Sequence, residues 1–281
     1  MKNRIPETVI CWDAEWVPCA RSGRRLHNLE STLMDDEVFS HMWRAAGATP
    51  DRPQPFLKLA LSEVVSISAV IRRYSPHGPE FSLTTWPERA CSAQGEPHIL
   101  ESFLETAACE SGQLVGFNSA SSDLPILVQR AIANGCSCPN FGRRPEKPWQ
   151  GQDYWSKFGD AHIDLLQELK FFGGGASMPT LHELAMACSI PGKLSTSGHD
   201  VATLWLNNGY SEIIAYNETD ACTTYLLWLR YARFRGLLDS LDTKRERNEF
   251  RRFLLELAPS KPHLGRFVDE WDKLRHDRPA N

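Results

Sequence analysis

The sequence predicts an α/β fold: a mixed sheet with an antiparallel strand meander and flanking helices. Three observations predict it. An aromatic and β-branched run opens the chain, a long strand–turn–strand segment follows, and short extended runs then alternate with segments of helical periodicity. The first run, Glu7–Val17, ends at Pro18 and is expected to be a strand. Residues 19–55 are polar, carry clustered charges and finish in Pro50, Pro53 and Pro55. They are expected to form an excursion with one helix near Asp36–Ala46, not a separate domain. Residues 62–74 form the next expected strand, Pro76-His77-Gly78-Pro79 a turn, and Phe81–Trp86 the returning strand.

Helical spacing of Ile99, Leu100, Phe103, Leu104 and Ala107 predicts a helix over Pro97–Cys109. Gln113–Phe117 is a short expected strand, Leu124–Asn134 a helix stopped by Asn134-Gly135, and Ala161–Asp164 another short strand. Thr180–Cys188 starts with a capping box, Thr180 and Glu183. Ser211–Phe234 is a long helix. The main domain is expected over residues 1–234, with 235–281 as a helical extension packed on it.

With 42% hydrophobic and 23% charged residues among 281, the chain has an ordinary globular composition, neither disordered nor fibrous. No apolar run approaches the ~20 residues that cross a bilayer. The start, Met1–Glu7, has no apolar stretch behind its charges, so neither a signal peptide nor a membrane partner is expected. Eight irregularly spaced cysteines, with only Cys136 and Cys138 close, suit reduced thiols and a cytoplasmic location. A net charge of −4 argues against bulk attraction to phosphate. Eight basic residues against four acidic ones in 230–252 read as a solvated, mixed ion-pair face. Neither Gly173-Gly174-Gly175 nor Gly192-Lys193 has the spacing of a nucleotide-binding loop.

Three acidic motifs stand out. Asp13-Ala14-Glu15 lies within the first strand, where residues i and i+2 share a face. Two such carboxylates repel and are expensive to bury unless a cation sits between them; taken alone they also read as a solvent-facing acidic pair at a strand end. Asn118-Ser119-Ala120-Ser121-Ser122-Asp123 spans a strand-to-helix turn and puts Asp123 at or near a helix N-cap. Tyr216-Asn217-Glu218-Thr219-Asp220 lies in the long helix, with Tyr216 and Asp220 on one face.

In this order the motifs supply four carboxylates and one tyrosine, and here the sequence resembles the DEDD (DnaQ-like) superfamily of 3′–5′ exonucleases. More narrowly it resembles the predicted exonucleases related to the exonuclease domain of family-B DNA polymerases. Phe56–Ile71, Gly116–Ala133, His162–Leu165, Leu181–Lys193 and Tyr216–Arg230 also look like that family's blocks. The resemblance implies a ribonuclease H-like fold. It matches Asp13, Glu15, Asp123 and Asp220 to the metal-binding acids, with Asp13 as the bridging ligand, and Tyr216 to the residue that orients the attacking water. Ala215 stands where the histidine subtype has His, so the tyrosine subtype (DEDDy) is implied. Ser122 departs from the Phe or Tyr usual before the second-motif Asp, which weakens the hydrophobic anchor of Asp123.

The implied chemistry is two-metal hydrolysis of phosphodiester bonds with magnesium or manganese, the ions that hard oxygen ligands select. The implied substrate is a single-stranded nucleic acid 3′ end, DNA in preference to RNA, with release of 5′-mononucleotides. The alternatives are an RNA exonuclease with the same site and a non-catalytic nucleic-acid-binding relic. A two-carboxylate glycosidase would leave Tyr216 and two acids without a role. Asn118 is a candidate contact for the terminal nucleotide or a turn-stabilising residue. His162 and Asp164 read as a strand end with a capping Asp in preference to a metal site, and Lys193 as an exposed loop lysine. Trp149 and Trp155 are the base-stacking candidates; Trp16, Trp205 and Trp228 read as packed.

Overall fold

The computed structural model describes residues 5–87, 95–147, 149–157, 159–171, 178–192 and 201–276. Gly173–Gly175 and Lys193 lie outside the described residues. Five strands form one sheet: β1 (Thr8–Pro18), β2 (Ser62–Ser75), β3 (Gly78–Trp86), β4 (Gln113–Gly116) and β5 (His162–Asp164). Their order is β3-β2-β1-β4-β5. The first three pair antiparallel as a meander, while β4 and β5 run parallel to β1. This is the ribonuclease H-like arrangement. The helices are α1 (Ala20–His27), α2 (Asp35–Ala45), α3 (Gly95–Cys109), α4 (Asp123–Asn134), α5 (Pro139–Gly142), α6 (Leu165–Lys170), α7 (Leu181–Ala187), α8 (Val201–Leu206), α9 (Tyr210–Phe234), α10 (Ser240–Leu257) and α11 (Pro262–His276).

The alternation of β1 sorts the core into two faces. Val9 and Cys11 pack with Ala221 and Tyr225 of α9, Phe250 of α10 and Phe267 of α11. Ile10, Trp12 and Ala14 pack with Leu100 and Phe103 of α3 and Ile126 and Leu127 of α4. Asp13 and Glu15 continue the first series, so the sheet turns both toward α9.

The excursion holds two helices where the sequence predicts one. The reason is that α1 has no apolar period and buries only Ala20 and Gly23. A methyl on Gly23 would run into the Met42 side chain, so the close crossing of α1 on α2 requires glycine. Val38, Phe39 and Met42 of α2 then join Val17, Val201, Ile213 and Tyr216 in a third apolar cluster. At the other end of the chain, fully buried Arg72 of β2 pairs with Glu246 of α10, which also accepts from the Tyr225 hydroxyl at 3.0 Å. Arg235 pairs with Glu168, Arg251 with Asp272 and Arg252 with Glu249, the mixed ion-paired face that the charge run predicts. No helix among the described residues is long and apolar enough to cross a membrane.

Candidate metal centre

The β1–β2 register slips between Glu15 and Trp16, where Glu15 faces Ser66 and Trp16 faces Val64. That bulge re-aims the strand at the acidic motif. Opposite the acids, β2 offers only small buried hydroxyls: Ser68 across from Asp13 and Ser66 across from Glu15. The space this leaves is entered by Tyr216 and Asp220, one helical turn apart on α9. Carboxylate oxygens of Asp13, Glu15 and Asp220 all lie within 4.8 Å of one another. The Tyr216 hydroxyl hydrogen-bonds Asp220.

Asp123, which follows the end of β4, lies outside that 4.8 Å group and acts on Asp13 through its charge. Between β4 and Asp123 the chain turns sharply, and Gly116 is needed because a Cβ there would strike the Ser119 side chain. Asp164, at the end of β5, organises the turn. Its carboxylate accepts from the amides of Asn118 (2.8 Å) and Ala120 (3.0 Å) and caps α6 through Leu166 N–H (2.9 Å). His162 Nε2 lies 2.8 Å from Ser119 Oγ. The structure thus gives these two residues the strand-end role that the sequence favours. Asn118 takes the left-handed conformation (φ 61°), and its carbonyl accepts from Ser121 N–H at 3.0 Å and the Ser122 hydroxyl at 2.9 Å.

Asp123 lies next to the cap, as the sequence leads one to expect: Ser122 is the N-cap of α4 and Asp123 its first helical residue, buried. The Ser122 hydroxyl also reaches the Asp123 carboxylate, so a hydrogen bond takes the place of the aromatic anchor. One sequence expectation is corrected here, that of the stacking candidates. The loop carrying Trp149 and Trp155 is tied by Tyr154 and Gln152 to the carbonyls of Ala107, Ser111 and Gly112, before β4 begins. Asp123 follows the other end of β4, so both tryptophans belong to the far end of the sheet. Trp228 is core, Trp16 and Trp205 half-buried in packed clusters.

Like charges dominate the site. Lost hydration, then Glu15, Asp123 and Asp220, hold the Asp13 carboxyl well above its ordinary value, against a hydrogen bond from Asn217. Burial pushes Asp123 up to about 6, opposed by the Ser122 hydroxyl and nearby amides. Burial and the carboxylates of Asp220, Glu15 and Asp13 push the Tyr216 phenol far above its ordinary value, so it stays protonated. Such a donor set fits a hard divalent cation: it is all oxygen, and its mutual repulsion is what a cation would offset.

Two site neighbours escape motif-based reasoning. Asn217, fully buried, donates from Nδ2 to Asp13 Oδ2 at 2.9 Å. Glu218, also fully buried, accepts from Thr85 (2.7 Å), pairs with Lys261 and lies 2.7 Å from His263 Nε2. Their signal is positional: Ile213, Asn217 and Ala221 run i, i+4, as do Ile214, Glu218 and Cys222, so each polar residue interrupts an apolar stripe.

Fold and site together define an acid-centred protein on a ribonuclease H-like sheet. More narrowly, the chain belongs to the family of predicted 3′–5′ exonucleases related to the exonuclease domain of PolB, whose match spans residues 54–271. That stretch holds Asp123, Tyr216 and Asp220; Asp13 and Glu15 precede it and are brought to Asp220 by β1. Among solved structures the chain is similar to the family B DNA polymerase of the hyperthermophilic archaeon Pyrobaculum calidifontis. The two share 17% identity with a TM-score of 0.48, over 78% of this chain and 24% of the polymerase. The chain therefore spans about a quarter of that protein's length. Among curated protein sequences, none matches.

Proposed function

We propose that the chain is a divalent-metal-dependent 3′–5′ exonuclease of the tyrosine subtype. Its substrate is the 3′ end of single-stranded DNA, its reaction phosphodiester hydrolysis and its products 5′-mononucleotides. The observation that carries this is the convergence of Asp13, Glu15 and Asp220 within 4.8 Å, from a strand and a helix more than 190 residues apart in sequence. Asp13, Glu15, Asp123 and Asp220 would hold two magnesium or manganese ions. When bound, the ions supply an activated water, leaving-group stabilisation and neutralisation of the phosphate.

The residues supply the rest. Tyr216, held protonated, donates to Asp220 and keeps lone pairs with which to accept from the attacking water, holding it in line. Asn118, fixed by its own turn, contacts the terminal nucleotide. We take residues 1–234 as the exonuclease domain, with 19–55 as its excursion and 235–281 as an extension; the core that α9 shares with α10 and α11 supports this. The described cysteines are free thiols, which fits a reducing compartment, and we place the protein in the cytoplasm.

The test is digestion of 5′-labelled single-stranded DNA and RNA of one sequence, with manganese, magnesium or a chelator. Progressive shortening of the DNA from its 3′ end, abolished by chelation, is expected. Shortening of RNA alone would move the substrate to RNA. Undiminished activity in both Asp13→Ala and Asp220→Ala would refute the assignment.

A further inference from the structure

Asn217 is a polar side chain with no exposure, set between apolar Ile213 and Ala221 on the face of α9 that meets the sheet. It makes two contacts. Nδ2 donates to Asp13 Oδ2 at 2.9 Å, and Oδ1 accepts from Ser66 Oγ at 2.9 Å. An amide has chemically unlike ends, and the ionised carboxylate that would bind a cation only accepts. The NH2 end must therefore face Asp13, and the carbonyl end needs a donor on its other side. Ser66 is that donor, delivered by β2 directly opposite Glu15 and beside the bulge. Flipping the amide would set oxygen against oxygen at Asp13.

We propose that Asn217, oriented by Ser66, is a positioning residue that fixes the Asp13 carboxylate, holding one oxygen and leaving the other for the cations. The proposal rests on the metal-site reading above. Its chemistry follows from what the position tolerates. Asp13 lies among three other carboxylates, so it needs a donor to stay oriented. Lysine or arginine would supply one but would repel a divalent ion from the same oxygens. A further acid would add to the repulsion. A neutral amide donates without competing for the charge, and one side chain ties β1, β2 and α9 together at the point where the acids meet.

The experiment measures manganese binding by calorimetry for the full chain, for Asn217→Ala and for Ser66→Ala, with the melting temperature of each recorded in chelator. Manganese binding by the unsubstituted protein tests the metal-site reading itself; no binding there would overturn that reading and not only this proposal. Given binding, Asn217→Ala is expected to weaken it by about 10–100-fold, the range for groups that orient a ligand. Ser66→Ala should weaken it by a smaller factor, because the amide is then free to turn. Excess manganese should restore the hydrolysis rate of Asn217→Ala, which a general loss of packing would not allow. A folded Asn217→Ala with unchanged affinity overturns the proposal. An unchanged Ser66→Ala overturns the relay and decides the matter if Asn217→Ala does not fold.

Discussion

Asp220→Asn should make the metal-free protein more stable while removing its activity. The substitution keeps the shape of the side chain and an acceptor for the Tyr216 hydroxyl, and deletes one of the clustered charges. Oxygens of Asp13, Glu15 and Asp220 lie within 4.8 Å of one another. At that distance and an effective dielectric constant of ~20, one like-charge pair is unfavourable by roughly 3.5 kcal/mol. Part of this is already relieved by proton uptake, since lost hydration and the neighbouring carboxylates hold Asp13 well above its ordinary value. A net gain of about 1–2 kcal/mol remains, equivalent to a rise in melting temperature of about 2–6 °C for a chain of this size. Scanning calorimetry in chelator at pH 8 reads it directly. Manganese should then reverse the order, because at 100 times its Kd a ligand adds about 2.7 kcal/mol to the protein that binds it. If the variant melts below the unsubstituted protein in chelator, or if manganese lifts both equally, the account of a repulsive site relieved by cations is wrong.

Other expectations follow from the same geometry. Tyr216→Phe keeps the buried ring and deletes the hydroxyl; hydrolysis should fall about 10–100-fold, while calorimetric manganese affinity changes little. Burial holds Asp123 at about 6, and a cation binds the ionised form, so manganese affinity should climb with pH through that value and level off above it. Calorimetry in two buffers of different ionisation enthalpy should detect proton release near pH 6 and less at pH 8. In the metal-free protein the same raised carboxyl makes stability fall as pH rises from the ordinary aspartate range to about 6. Glu218→Gln should destabilise by about 1–3 kcal/mol, less than for a fully enclosed pair because Lys261 is partly exposed. Burial pushes the Glu218 carboxyl up, but His263, Lys261 and Thr85 outweigh it and leave it below its ordinary value. Its contribution is therefore present above the glutamate range and lost in acid, so the two melting temperatures should converge as pH falls.

The strands were legible because β1, β2 and β3 are rich in β-branched and aromatic residues and the turn at Pro76–Pro79 is unambiguous. The Thr180–Glu183 capping box was legible for the same local reason: both halves of the motif form as the spacing predicts. Helix α1 was not, because its buried side is an alanine and a glycine, a surface with no hydropathy signal. Asp123 could be placed near a helix start but not at its exact position, since Ser122 competes for the cap and only the turn held by Asp164 decides between them. The side of the sheet on which Trp149 and Trp155 fall depends on hydrogen bonds to Ala107, Ser111 and Gly112, far away in sequence. Period-two logic did place Asp13 and Glu15 on one face, and i, i+4 logic did pair Tyr216 with Asp220. What it omitted were Asn217 and Glu218, whose partners come from β1, β2, β3 and the C-terminal helices.

Those omissions explain why α9 can bury five consecutive polar residues, Tyr216 to Asp220. Each has its own destination. Tyr216 turns to Asp220, Asn217 to Asp13 and Ser66, and Thr219 back to the Tyr216 carbonyl at 2.7 Å. Glu218 points to Thr85, whose hydroxyl donates to it and so must accept from Ser68 at 3.1 Å. Lys261 and His263 complete its shell from the start of α11. The helix turn that carries Tyr216 and Asp220 is thus clamped on one side by the sheet and on the other by the C-terminal extension. A buried carboxylate left without those partners would force either a proton onto Glu218 or a shift of the helix. A shift of α9 moves Tyr216 and Asp220 together with it. Among its described residues the extension adds no acid to the group formed by Asp13, Glu15 and Asp220, yet it fixes the position of the helix turn on which two of the site's residues depend.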